Sequence, residues 1–153
     1  MSAQVKLDPQ ALAAIKEAIH ESALLTAEAI KGEVISAQVM PFDNGILQNG
    51  GTYSRTTKEG KNVVGETVKG LDVEDVSTGD EIHILLTTDG PQARRLYFHP
   101  EYDFQKGNNM NAGGKWFESW LPGGAQENFA KDAFSSILAD KLKNSRIFLS
   151  AAR

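Results

Sequence analysis

At Pro41 the hydrophobic period of this sequence changes, and the change divides the chain into two kinds of structure. Before it, Leu12, Ile15, Ile19, Ala23, Ala27, Ile30 and Val34 recur at spacings of three and four, with Lys16, Glu17, Glu21, Glu28 and Lys31 mostly off their stripe. That spacing predicts an amphipathic helix. Asp8-Pro9 gives it a start, a capping carboxylate followed by proline at the first helical position, where a missing N–H does no harm. Gly32 weakens the helix near its end, and Pro41 sets the outer limit by pushing Met40 out of the helical region. The helix has about eight turns. With so many alanines on its apolar side it needs a sheet, or a copy of itself, to pack against.

Residues 41–51 carry proline, Asp-Asn-Gly and Asn-Gly-Gly, the signals of a loop. After it the runs are short and rich in Thr, Val and Ile: Thr52–Thr57, Asn62–Val68, Leu71–Val76 and Glu81–Thr88, separated by Glu59-Gly60, Lys69-Gly70 and Thr78-Gly79-Asp80. They read as an antiparallel meander, with Ile82, Ile84 and Leu86 turned toward the helix and His83 and Thr87 away from it. Short helices are expected over residues 93–98 and 115–121. A last one runs from Ala125 to about Asn144 with Ala130, Phe134, Ile137, Leu138 and Leu142 on one face. Between the short helices, residues 106–114 have no apolar periodicity and read as a flexible loop. The order of elements describes one α+β domain over residues 1–153: a long N-terminal helix packed on a small antiparallel sheet, with short helices and a C-terminal helix.

Composition narrows the function classes. With no cysteine there is no disulfide framework, thiol nucleophile, iron–sulfur cluster or cysteine-ligated zinc. The longest apolar runs, Ile84-Leu85-Leu86 and Ile147-Phe148-Leu149, fall far short of the ~20 residues that span a bilayer. No membrane partner is expected. Met1-Ser2-Ala3-Gln4-Val5-Lys6 lacks the pattern of a secretory signal, so the chain is expected to stay in the cytoplasm where it is made. A net charge of −4 argues against a free-standing DNA binder. The tail 141–153 is the exception, since Lys141, Lys143, Arg146 and Arg153 form a local basic patch suited to a helix C-terminus, or to weak contact with DNA or an acidic neighbour.

Catalytic chemistry finds little to stand on. His99-Pro100-Glu101-Tyr102-Asp103 alternates donor types, but metal binding needs three converging donors on a rigid frame, and His20 and His83 lie elsewhere. Asp72, Glu74 and Asp75 could serve as paired carboxylates, yet they fall in an acidic turn where charge usually meets water. Gly45 to Gly51 lacks the Lys-Ser/Thr ending of a phosphate loop. The expectation is no catalytic residue, no metal, no cofactor and no enzyme. The aromatics are more telling: Tyr97, Phe98, Tyr102, Phe104, Trp116, Phe117 and Trp120 gather in 24 residues beside Arg94 and Arg95. Part of that set must fill the core. The rest has the composition of a protein–protein interface, expected at Arg94, Arg95, Tyr97, Tyr102, Phe104, Trp116, Phe117 and Trp120.

Three stretches together resemble one family. Pro41-Phe42-Asp43-Asn44-Gly45-Ile46-Leu47 is similar to the Pro-x-Asp-Thr-Gly-x-Leu motif after the N-terminal helix of the tail-completion or minor capsid proteins of long-tailed bacteriophages. Ala93-Arg94-Arg95-Leu96-Tyr97-Phe98 with Tyr102-Asp103-Phe104 resembles that family's Tyr-Ala-Arg-x-x-Tyr segment and its aromatic-Asn-Phe continuation, and Lys115-Trp116-Phe117-Glu118 its Trp-Phe-Glu element. The order holds over about residues 9–143. Asn44 replaces a threonine, Gln92 an aromatic and Asp103 an asparagine. Pro41, Asp43, Gly45 and Leu47 then read as a structural turn between helix and sheet, with Gly45 free to take positive φ and Leu47 reaching back to the core.

The resemblance implies a subunit of the phage neck, a ring that joins the DNA-filled head to the tail. It implies a homo-oligomer, hexameric by preference or else dodecameric, seated between a portal-side adaptor or stopper and the tail terminator or tail tube. It also implies double-stranded DNA passing only transiently through the lumen, touching Lys141, Lys143 and Arg146 weakly, and a location in the host cytoplasm during assembly and in the virion afterwards. A tail terminator or head stopper of the same neck is the alternative reading, and a DNA-binding accessory protein a more distant one.

Overall fold

A computed structural model of the chain describes residues 6, 8–90 and 92–144. Its first element, α1 (Pro9–Ser36), starts on the expected cap. Asp8 is extended, its carboxylate accepts a hydrogen bond from the Gln10 N–H at 3.1 Å, and Pro9 opens the first turn. The helix passes Gly32 and ends at Ser36, after which Gln38 takes a left-handed φ of 55°. A non-glycine residue there is disfavoured by about 1–2 kcal/mol. Long-range bonds hold it: the Gln38 backbone carbonyl accepts from the Asn111 N–H at 3.2 Å, and its side-chain carbonyl from the Met110 N–H.

The chain then turns through Pro41–Gly45. Gly45 has φ +78°, and a Cβ on it would lie 2.9 Å from the Phe42 ring. The Asn44 side chain accepts from the Ile46 N–H, and α2 (Ile46–Asn49) carries Leu47 into the core. Four strands follow, β1 (Gly51–Thr56), β2 (Asn62–Val68), β3 (Leu71–Asp75) and β4 (Ile84–Thr88). They do not form the single meander that the sequence suggests. β1 pairs with β2 and β3 with β4, each antiparallel, as two separate ladders.

The link between β2 and β3 explains the split. Gly70 takes φ +75°, and the Lys69 and Gly70 N–H groups donate to the two oxygens of the Asp89 carboxylate, at 3.0 and 2.6 Å. The backbone at Gly70 passes so near the end of α2 that an added Cβ would sit 2.4 Å from the Gly50 nitrogen. The link is thus engaged with the end of β4 and with α2, and cannot fold β3 back onto β2. β4 is also shorter than its apolar run, because Thr78 and Glu81 form an isolated bridge and the strand begins only at Ile84. Ile84 and Leu86 are half-buried, and Ile82, though more exposed, lines a cleft with Ile19 and His20 of α1.

α1 lies between the β3–β4 ladder and α4 (Phe129–Asn144). The core gathers around its C-terminal half: Val34, Met40, Leu47, Leu71, Ala93 and Trp116, with Ile30, Ile35, Val39, Leu86, Leu96, Tyr97, Phe117 and Trp120 packed against them. α4 begins four residues later than the sequence suggests and buries no residue fully; Phe134, Ile137, Leu138 and Leu142 are half-buried. The architecture is α+β, a long N-terminal helix packed against small antiparallel sheets with a C-terminal helix on its other side. Residues 106–114, which look flexible in sequence, make specific bonds with the segment after α1. Asn109 is buried, its Nδ2 donating to the Met40 carbonyl at 2.8 Å and to Gln48 Oε1 at 3.2 Å. Asn111 Nδ2 donates to the Ala37 carbonyl and the Gly113 N–H to that of Val39. The partners that order this loop lie about seventy residues away, where no local pattern shows them.

Candidate interaction surface

The aromatic region divides into a buried and an exposed part. α3 (Ala93–Phe98) sets Ala93 into the core and leans Leu96 and Tyr97 against it. The Tyr97 ring meets Trp116 edge-on at 4.8 Å and lies 5.9 Å from Phe117. Burial pushes the Tyr97 hydroxyl pKa upward, with the nearby Glu118 carboxylate adding to the rise. Trp116, expected at an interface, is only 4% exposed and is a core residue. Phe117 and Trp120 are half-buried and packed on the same cluster. Their large rings pack over α1's end together with Leu71 of β3 and Leu86 of β4. The indole N–H groups of Trp116 and Trp120 and the Thr88 hydroxyl are buried without a hydrogen-bond partner among the described residues.

The remaining members stay near the surface. Arg95 is exposed, and its Nε donates to the Tyr102 hydroxyl at 3.0 Å while the guanidinium lies 5.5 Å from the centre of that ring. The contact holds the Arg95 pKa above its ordinary value, chiefly through that hydrogen bond. His99 stacks on the other partner of this group, the Tyr102 ring, at 4.9 Å, and Tyr102 and Phe104 are half-buried. His99 Nδ1 lies 2.6 Å from Glu101, whose pKa is lowered mainly by that hydrogen bond. His99 and Glu101 therefore engage each other and Tyr102 engages Arg95, and among the described residues no group of three or more His, Cys, Asp or Glu could hold a metal ion.

Exposure shows what sequence reasoning missed. Phe98, a member of the aromatic group left out of the expected interface, is 62% exposed, propped edge-on against Tyr97 at 5.1 Å. Arg94 lies one turn before it on the same face of α3, exposed and with no acidic partner among the described residues. Val64 on β2 is 75% exposed, and every residue from Asn62 to Thr67 is exposed. The signal was available for Phe98: an aromatic at i+4 from an arginine on a helix whose other side carries Ala93 and Leu96.

The acidic and basic groups expected at the surface are mostly committed. Asp72 pairs with Lys31 and Lys69, Glu74 with Lys69, and Asp75 lies 2.6 Å from His20 Nε2. Hydrogen bonds from Ser77, then His20, hold the Asp75 pKa below the ordinary carboxylate value. Lys141, expected to face DNA, donates to Glu21 on α1. Lys143 is exposed, and Arg146 lies outside the described residues. No helix of the described residues is long and apolar enough to cross a membrane. No protein-family model, curated protein or solved structure matches the chain.

Proposed function

We propose that the chain is a non-enzymatic structural subunit of a bacteriophage neck, building a ring that joins head to tail and through which DNA passes. The observation that carries the reading is the β1–β2 ribbon. A two-stranded ribbon is marginal by itself in water, and here β2 is exposed from Asn62 to Thr67 with Val63 and Val64 uncovered. Such an element gains most when neighbouring molecules cover it, and its unpaired strand edges are ready for strand addition. The motif order from Pro41 to Glu118 supports the same reading, since it resembles that of tail-completion proteins. The acidic balance suits a channel that must release DNA, and the commitment of Lys141 to Glu21 leaves fewer cations to retain it.

The test is the mass of the purified chain by native mass spectrometry, alone and with portal-side and tail-tube proteins, together with the position of a labelled copy in the particle. A hexamer or dodecamer, or a label confined to the head–tail junction, is expected. A chain that stays monomeric with every neck component and is absent from particles would overturn the proposal.

A further inference from the structure

A ring needs two unlike patches on each copy, one docking on the other around a closed cycle. Two exposed, oppositely charged patches lie apart on this molecule. The first is the Arg94–Phe98 face of α3, beside the core at the C-terminal half of α1. The second is an open groove of 690 Å³ between residues 14–25 of α1 and the end of α4. Its floor includes Leu25 and Ile137, and Leu25 is 47% exposed. Its wall carries Glu17, Glu21, Asp140 and Lys141. Glu21 and Lys141 neutralise each other, while neither Glu17 nor Asp140 has a cationic partner among the described residues. The groove therefore presents apolar surface flanked by two uncompensated carboxylates.

We infer that this groove receives the Arg94–Phe98 knob of a second copy, the Phe98 ring covering Leu25 and Ile137 and the Arg94 guanidinium meeting Glu17 and Asp140. The inference rests on the ring reading and supplies its contact. Charge complementarity selects the pairing: among the described residues Arg94 and the two carboxylates each lack an oppositely charged partner, and each would gain one across the interface. Phe98 and Leu25 are both apolar side chains that the fold leaves in water. Nine residues of α1 separate Leu25 in the groove from Val34 in the core beside α3, about 14 Å of helix. Patches separated in this way favour a head-to-tail contact over a single copy folding on itself.

Sedimentation velocity of the full chain at low and high salt tests the pairing. Arg94→Glu, Phe98→Ser and the pair Glu17→Arg with Asp140→Arg should each weaken self-association by about tenfold or more, since like-charge contacts and lost anchors are costly at an interface. The variant that combines Arg94→Glu with Glu17→Arg and Asp140→Arg should regain most of it, and circular dichroism should show all variants folded. Wild-type rings with no weakening from Arg94→Glu and Phe98→Ser, or no rescue in the combined variant, would overturn this pairing and leave the ring reading standing. If Glu17→Arg with Asp140→Arg changes only the proteolytic susceptibility of residues 145–153, the groove belongs to the chain's own tail and the pairing also falls. A wild-type chain that never self-associates, even with neck partners, removes the ring reading itself.

Discussion

Trp116 and Phe98 are large aromatics eighteen residues apart with opposite fates, and substitutions should separate them. Trp116→Ala opens a cavity under Tyr97 and Met40's cluster and is expected to destabilise the fold by about 3–5 kcal/mol. It therefore reports on the core and not on any partner. Phe98→Ala removes a ring that is mostly in water and should change stability by no more than about 0.5 kcal/mol. Urea denaturation of the two variants checks the contrast. Asn109 makes the same point for a polar residue. Its amide is the donor to the Met40 carbonyl beside a fully buried side chain. Asn109→Ala leaves that acceptor unsatisfied and should cost about 1–3 kcal/mol, with hydrogen exchange rising through residues 109–113 as their bonds to residues 37–40 loosen.

Among the elements, the junction of Gly50, Gly70 and Asp89 decides the topology. Gly70→Ala forces a side chain onto a left-handed backbone, a strain of about 1–3 kcal/mol, and drives its Cβ into the Gly50 backbone. The melting temperature should fall sharply, and more than for Asp89→Asn, which retains one acceptor for the two N–H groups. The same junction marks the limit of what was legible in sequence. α1, its Asp8-Pro9 start and the turn at Gly45 follow from local rules, and the structure has them at or near the expected residues. Which strands pair is not local: Asp89 lies nineteen residues from the N–H that it binds, and no alternation of Val and Thr announces it. At the candidate surface, the Arg and aromatic content singled out a segment that holds both buried and exposed rings. Assigning each ring to core or surface depends on how α1's end and residues 109–113 meet, which no local pattern shows: Trp116, expected at an interface, lies in the core, and Phe98 is exposed. Ser22 and Thr26 on α1 satisfy their polar groups by local bonds instead. Both are polar by type yet buried, because their hydroxyls donate to the Ala18 and Ser22 carbonyls one turn back.

For the molecule as a whole, α1 is the spine, and ion pairs fasten both neighbouring layers to it. Lys16 meets Asp80 at 2.7 Å, His20 meets Asp75, and Lys31 lies 3.9 Å from Asp72 on the side of the β3–β4 ladder; Glu21 meets Lys141 on the side of α4. Each pair is at least partly exposed to water and contributes modestly. Three of the carboxylates nonetheless titrate in one direction. Hydrogen bonds from Ser77 and His20 lower the Asp75 pKa, Lys16 lowers that of Asp80, and Lys141 that of Glu21. A carboxyl whose pKa is lower folded than unfolded stabilises the fold fully above its ordinary value of about 4. The contribution fades as pH falls through the folded value, because protonation is then taken up preferentially by the unfolded chain. The melting temperature should therefore stay nearly level above about pH 5 and fall below about pH 4. In the triple variant Asp75→Asn, Asp80→Asn and Glu21→Gln the melting temperature at neutral pH should be lower than wild type, and the acid fall shallower, so that the two curves converge at low pH. Parallel curves would mean that these contacts do not fasten the layers to α1, and that the core around Val34 and Trp116 alone holds the helix in place.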